Sequence, residues 1–254
     1  MISIAVVNRA TDPRITCEML QKMCDALLIQ NARDFVPEWG SDTQLANIVV
    51  FEKDATLPEG AWVCTIQDTL EVQGALAYHD EENDVATLFE ETADAVALQP
   101  DTAKPLTQAQ KDMISVGLGH EICEALVNPF VNDFVTVPYG KFGSDGLLLT
   151  PKETVDAVEG NSYPVTTADG TVVACPNFLK RAWFDAQAEN KVIAQFDKLG
   201  VLSEPFSIAA GGYITLVDAA SGAYQTVWGA RVTDAKKEAI LRRGRIARML
   251  SSKL

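Results

Sequence analysis

Histidine is scarce in this chain of 254 residues and occurs only at positions 79 and 120. A Ser-His or Cys-His nucleophile would therefore have to use His79 or His120. The sequence also lacks a glycine-rich phosphate loop and a G-x-S-x-G elbow, so it offers no support for those two kinds of site.

Cysteine is sparse too, and no two cysteines form a C-x-x-C pair. The five are Cys17, Cys24, Cys64, Cys123 and Cys175. An odd number without a framework predicts reduced thiols in a cytosol-like compartment. The first residues lack the pattern of a signal peptide, and no apolar run approaches the length of a membrane span. We therefore expect a cytoplasmic protein with no membrane partner.

Basic residues are outnumbered, since 21 Lys and Arg face 35 Asp and Glu, for a formal net charge of −14. Such a field repels nucleic acid phosphates and anionic lipids, so neither is an expected partner. Residues 233–254 are the basic exception and are predicted to form a tail helix. Its charged face could dock on an acidic protein surface or support self-assembly, or it could simply be a solvated terminal helix.

The apolar pattern predicts the order β-α-β-β-β-β-α over residues 1–130. "ISIAVVN" is a short buried strand, and the four later strands are "ANIVVFE", "AWVCTIQD", "GALAYHD" and "VATLFE". The first helix is expected to begin at Pro13, with Thr11 and Asp12 as possible caps. Thr107 and Gln110 form a T-x-x-Q capping box for the second helix, which Pro129 is expected to stop.

The second half of the sequence carries weaker signals. "GGYITLVDAASGAYQTVWG" is typical of a β-hairpin, and residues 179–200 are expected to be partly helical. We predict an α+β protein with an irregular C-terminal half. Its expected parts are a subdomain at 1–130 with the sheet and the second helix, a subdomain at 131–232 that completes a site, and the tail at 233–254.

The second helix contains the stretch "VGLGHEICEALVNPF" at 116–130. His120 and Glu124 are four residues apart, so their side chains lie on one helix face and can meet one ion. Glu121 could reach a water on that ion, as the base does in H-E-x-x-H zinc hydrolases. A carboxylate in the second ligand position suits zinc and also manganese, calcium or magnesium. The alternative is a charged pattern on a wet helix face.

A third ligand is expected from "TPKETVDAVEGNSY". It offers Glu153, Asp156 and Glu159 at three-residue spacing, which could line a helical turn or wrap a hard cation in a loop. A solvated acidic face is the alternative. His79 ends a predicted strand and could lie near the site, or it could merely be exposed.

These residues belong to a set of markers that resembles a family of uncharacterised bacterial and phage-encoded proteins usually taken for zinc-peptidase-like. The markers are "DFVPEWG" at 34–40, "GALAYHDE" at 74–81, "GHEICEALVNPF" at 119–130, "ETVDAVEGNSY" at 153–163, "RAWF" at 181–184 and "AAGGYITLVD" at 209–218. His120, Glu121 and Glu124 match the family's H-E-x-x-E, whereas Asn128 stands where the family tends to have aspartate. In its later E-x-C-D-x-x-E motif, Val155 replaces the cysteine.

The resemblance implies a zincin-like mixed sheet in which an edge strand, here "GALAYHD", can pair with an extended peptide. It also implies that the scattered acids form one site. His79, Glu159 and Asn128 are candidates for residues that lie around the ligands. The function expected first is a metal-dependent, peptidase-like hydrolase that uses His120, Glu124 and Asp156 or Glu153 on zinc, or on manganese or calcium. The alternative is a phage virion or docking protein that keeps the fold without catalysis.

Overall fold

The computed structural model describes residues 1–67, 77–80, 87–91, 104–187, 195–234 and 236–237. The described residues form an α+β structure, as the sequence predicts. No helix among them is long and apolar enough to cross a membrane. Most of the predicted tail helix lies outside these ranges, so its structure stays a prediction.

The first sheet has five strands in the order β2-β1-β3-β5-β4. The strands are β1 (Ile2–Asn8), β2 (Ala46–Glu52), β3 (Trp62–Gln67), β4 (Ala77–Asp80) and β5 (Thr87–Glu91). β1, β2, β3 and β5 run parallel, and β4 pairs antiparallel with β5. The five strand predictions are confirmed, and "GALAYHD" contributes β4 at one edge of this sheet.

The first long helix, α1 (Cys17–Gln30), begins later than the sequence suggested. Thr16 caps it by accepting a hydrogen bond from the backbone N–H of Met19. The prediction of a start at Pro13 was wrong because Asp12 has another role. Its carboxylate accepts bonds from the backbone N–H and the guanidinium of Arg14, which hold a turn before the helix. A π-helical turn (Asn31–Phe35) and a short helix, α2 (Val36–Trp39), follow α1.

The second long helix, α3 (Gln108–Ala125), begins with the predicted capping box of Thr107 and Gln110. Its last backbone bond of the helical kind runs from the N–H of Asn128 to the carbonyl of Glu124, and Pro129, which has no N–H, cannot continue the series, so the predicted stop at Pro129 is confirmed. The Asn128 side chain then accepts the backbone N–H groups of Asn132 and Asp133, which fixes the turn that follows.

The C-terminal half holds a four-stranded antiparallel sheet in the order β11-β10-β7-β6 and a separate two-stranded hairpin of β8 and β9. The strands are β6 (Phe134–Thr136), β7 (Leu148–Pro151), β8 (Ser162–Thr166), β9 (Val172–Pro176), β10 (Tyr213–Asp218) and β11 (Tyr224–Trp228). The hairpin of β10 and β11 was predicted; β6, β7, β8 and β9 were not. A 3₁₀ turn at Arg181–Phe184 is the helical part of 179–187, and residues 188–194 lie outside the described ranges.

Two apolar clusters stabilise the structure. The larger one lies between the first sheet, α1 and α3, and it includes Val155, Val173 and Phe178 from beyond residue 130. The smaller one centres on Trp183, Phe206 and the second sheet. The division into subdomains at residue 130 stays a prediction, but apolar packing clearly continues across it.

Candidate metal centre

Helix α3 brings three functional side chains to one buried place: His120, Glu121 and Glu124, each at most 5% exposed. Gly119 lets the helix approach its neighbours closely. A Cβ atom there would lie 2.6 Å from Cδ2 of Leu27 on α1 and 2.7 Å from Cδ of Pro176 on β9. The close packing presses this part of α3 into the core and explains why the cluster is not the wet helix face considered above.

The imidazole of His120 meets two carboxylates. Its Nε2 lies 3.1 Å from Oε2 of Glu124 and 3.3 Å from Oδ1 of Asp156. One ligand atom from each of the three residues falls within 4.8 Å of the others. The helix and the acidic stretch after β7 therefore converge on a common point.

Glu124 is held firmly in its orientation. Its Oε1 accepts the backbone N–H groups of Val155 at 3.0 Å and Asp156 at 3.3 Å, while Oε2 faces His120. Asp156 begins a 3₁₀ turn (Asp156–Val158), so the same backbone that binds Glu124 also presents the third side chain. These bonds fix the relative positions of two of the three ligand candidates.

Glu153 and Asn128 lie beside this group, and both are buried. The Asn128 amide donates to Oε1 of Glu153 at 3.1 Å. Burial, together with the charges of Glu124 and Asp156 and a hydrogen bond to Glu124, raises the pKa of Glu153 well above its usual range. Asp156 is the better third ligand, because its Oδ1 lies 3.3 Å from Nε2 of His120, whereas Glu153 is bonded to Asn128.

The protonation of His120 reflects its surroundings. Burial alone would lower the pKa of His120, but the charge of Glu124 and hydrogen bonds to Asp156 and Glu124 raise it well above the ordinary value. Burial also raises the pKa of Glu124, against the attraction of His120. Buried carboxyl groups need a compensating cation, and here an imidazolium supplies it when no metal does.

Glu121 is buried, and its charge acts on His120, Glu124 and Glu153. It thus belongs to the same electrostatic cluster. Its part in any reaction stays a prediction.

Glu159 and His79 lie in different settings. Glu159 follows the 3₁₀ turn and pairs with Lys236, with 3.0 Å between Oε2 and Nζ. His79 lies on β4, paired with Leu88 of β5, and both strands contact α3. The His79 side chain is outside what the structure describes, so its nearness to the cluster stays a prediction.

Sequence reasoning missed how the turn of Asp156 is held. A Cβ on Gly212 would lie 2.4 Å from the carbonyl oxygen of Ala157 and 2.9 Å from that of Asp156. Ala209 also donates its backbone N–H to the Ala157 carbonyl. The signal was present in the small residues of "AAGG" at 209–212, which permit close backbone approach, but it does not name the segment approached.

The donor set fits a divalent ion. Zinc binds imidazole nitrogen and carboxylate oxygen at about 2.0–2.2 Å, so neighbouring ligand atoms of a tetrahedral site lie about 3.4 Å apart. The separations of 3.1 and 3.3 Å from His120 are those of hydrogen bonds, and small outward movements of the side chains would open them to this spacing. One neutral imidazole with two carboxylates also balances the charge of a divalent ion.

Comparison of the chain with protein-family models, with curated proteins and with solved structures gave no match. The likeness to zinc-peptidase-like proteins therefore rests on the sequence markers described above.

Proposed function

We propose that this protein binds a divalent metal ion, most suitably zinc, and acts as a metal-dependent hydrolase of the peptidase-like kind. His120, Glu124 and Asp156 would hold the ion. The observation that carries the proposal is the convergence of these three buried ligand atoms within 4.8 Å, from a helix and a distant turn. Manganese and calcium are the other candidate ions, because two of the three ligands are carboxylates.

The neighbouring residues suit hydrolysis. When bound, the ion would supply a Lewis acid that lowers the pKa of water and polarises a carbonyl group. Glu121 would accept the proton of the attacking water and deliver it to the leaving nitrogen. Asn128 and Glu153 would keep Glu124 in place during that exchange.

An extended peptide is the substrate class that the sheet suits best. β4 is an edge strand of the first sheet and contacts α3, the helix of His120. At the opposite edge, the backbone N–H groups of Ala46 and Val50 on β2 are already bound by side chains of Asn31 and Gln21. Strand addition to β4 would place a peptide beside the helix that carries the cluster.

A second function is supported by the burial of the site. The three ligand side chains are at most 8% exposed and already pair with one another. Closed sites are typical of structural ions, whereas catalytic sites keep one position open to water and substrate. This observation favours a non-catalytic protein, such as a virion or docking component, that uses the cluster for stability. A cytoplasmic or virion location remains part of these proposals.

The two functions are separated by Glu121→Gln, which removes the base and keeps the three ligands. We expect the zinc-loaded wild type to cleave members of a peptide library and the variant to bind zinc equally but cleave at least 100-fold more slowly. His120→Ala is the control that should lose both. Zinc binding without cleavage of any peptide by the wild type would favour the structural alternative.

A further inference from the structure

Lys236 lies at the start of the basic segment 233–254 and connects it to the turn that carries Asp156. Its Nζ donates to the carbonyl oxygen of Gly211 at 2.8 Å and lies 3.0 Å from Oε2 of Glu159. Lys236 thus makes polar contacts with two chain segments at once. Its neighbour Lys237 pairs with Asp234 one helical turn away, at 3.5 Å.

Both partners of Lys236 belong to the support of the ligand turn. The backbone N–H of Glu159 donates to the carbonyl of Asp156 and closes that turn. Gly211 lies next to Gly160, where a Cβ would come within 3.2 Å of the Gly211 Cα. Gly212 presses on the carbonyl groups of Asp156 and Ala157. Lys236 therefore contacts both backbone segments, 156–160 and 209–212, whose packing against each other holds Asp156 in place.

The charge of Lys236 matters at this position. The Glu159 side chain is only 13% exposed. Glu159 is three residues after Asp156 in the sequence, and several buried carboxyl groups lie in this region. Without a cation, Glu159 would be stabilised by turning toward water. Because Glu159 is bonded to Asp156 through the turn, that movement would displace a ligand.

We propose that Lys236 is a positioning residue for the metal centre and that its contacts with Glu159 and Gly211 raise the affinity of the site for the ion. This inference rests on the proposed metal binding by His120, Glu124 and Asp156. It adds that Lys236, outside the three ligands, helps to hold Asp156 in its position.

The test is the zinc Kd of the full-length chain, measured by competition with a chromophoric chelator at neutral pH. We expect Lys236→Met to weaken zinc binding about tenfold, in the range for residues that orient metal ligands. Glu159→Gln should weaken zinc binding by a similar factor. The double variant should have a zinc Kd no higher than that of the more affected single variant, because both substitutions break the same contact. Lys237→Met is the matched control, with the same charge change one residue along, and should bind zinc like the wild type.

The outcomes are distinct. A zinc Kd unchanged in both Lys236→Met and Glu159→Gln would overturn the positioning role while leaving the metal site intact. An equal loss in Lys237→Met would overturn it as well, since the effect would then be one of general charge. Absence of zinc binding by the wild type would overturn the proposed function and this inference together. If Lys236→Met does not fold, Glu159→Gln tests the proposal, because it removes the charge on the other side of the same contact.

Discussion

Asp34 connects the turn after α1 to the C-terminal half of the chain and should make stability depend on acidity. Its carboxylate accepts hydrogen bonds from Arg33 at 2.7 Å, from Lys198 at 2.8 Å and from the hydroxyl of Tyr163 at 2.9 Å. Burial by itself would raise the pKa of Asp34, but bonds from these three partners lower it from 3.8 to about 2.

The size of the effect follows from that pKa. One pKa unit corresponds to about 1.4 kcal/mol, so a pKa lowered from 3.8 to about 2 corresponds to about 2.5 kcal/mol, and solvent screening reduces the contribution of Asp34 to the free energy of unfolding near neutral pH to about 2 kcal/mol. Because the pKa is lower in the folded state, the contribution is present in full above about pH 4. It is lost as the pH falls toward 2, and about half is gone at pH 3.

Urea denaturation of the wild type and Asp34→Asn at several pH values checks this. The variant should be less stable by about 2 kcal/mol at pH 6, and the gap should shrink to about half at pH 3. Glu38→Gln is the control, because it makes the same chemical change in α2 where the pair with Lys180 spans 3.8 Å. That control should alter stability by less than about 0.5 kcal/mol. A gap between wild type and Asp34→Asn that stays constant from pH 6 to pH 3 would refute the reasoning.

Two further substitutions test the packing and the polar support of the site. Gly119→Ala should lower the unfolding free energy by about 1–3 kcal/mol, because the new Cβ would overlap Leu27 and Pro176, and thermal unfolding would show it. An unchanged melting temperature would contradict the close approach of α3. Asn128→Ala should cost about 1–3 kcal/mol in urea denaturation, since it removes the acceptor of the turn after α3 and the donor to Glu153. Asn128→Asp keeps the acceptor of the turn but places a further buried carboxylate beside Oε1 of Glu153, so it should lose at least as much stability as Asn128→Ala; a clearly milder loss would argue against the donor role of Asn128.

Much of the first sheet could be predicted from the sequence because its signals are local. The strands can be recognised as short apolar runs, and the predicted capping box of Thr107 and Gln110 is present. The pairing of His120 with Glu124 follows from helix geometry alone. The start of α1 could not be decided in this way, because Asp12 and Thr16 are both good caps and the contact of Asp12 with Arg14 selects between them.

The third ligand candidate could be narrowed only to three acids. Glu153, Asp156 and Glu159 have equal spacing, and tertiary contacts separate their roles. Glu153 is supported by Asn128, Asp156 faces His120, and Glu159 turns to Lys236. Such contacts between distant segments leave no periodic pattern in the sequence. Strands β6 to β9 were missed for a related reason, since each is only three to five residues long.

The most direct test of metal binding is native mass spectrometry of the purified protein with zinc, comparing the wild type with His120→Ala and Glu124→Gln. The account predicts one zinc ion per wild-type chain and a loss of binding in both variants, with Glu159→Gln still able to bind at saturating zinc. A wild type that binds no zinc, manganese or calcium, or variants that bind as well as it does, would contradict a metal centre at His120, Glu124 and Asp156.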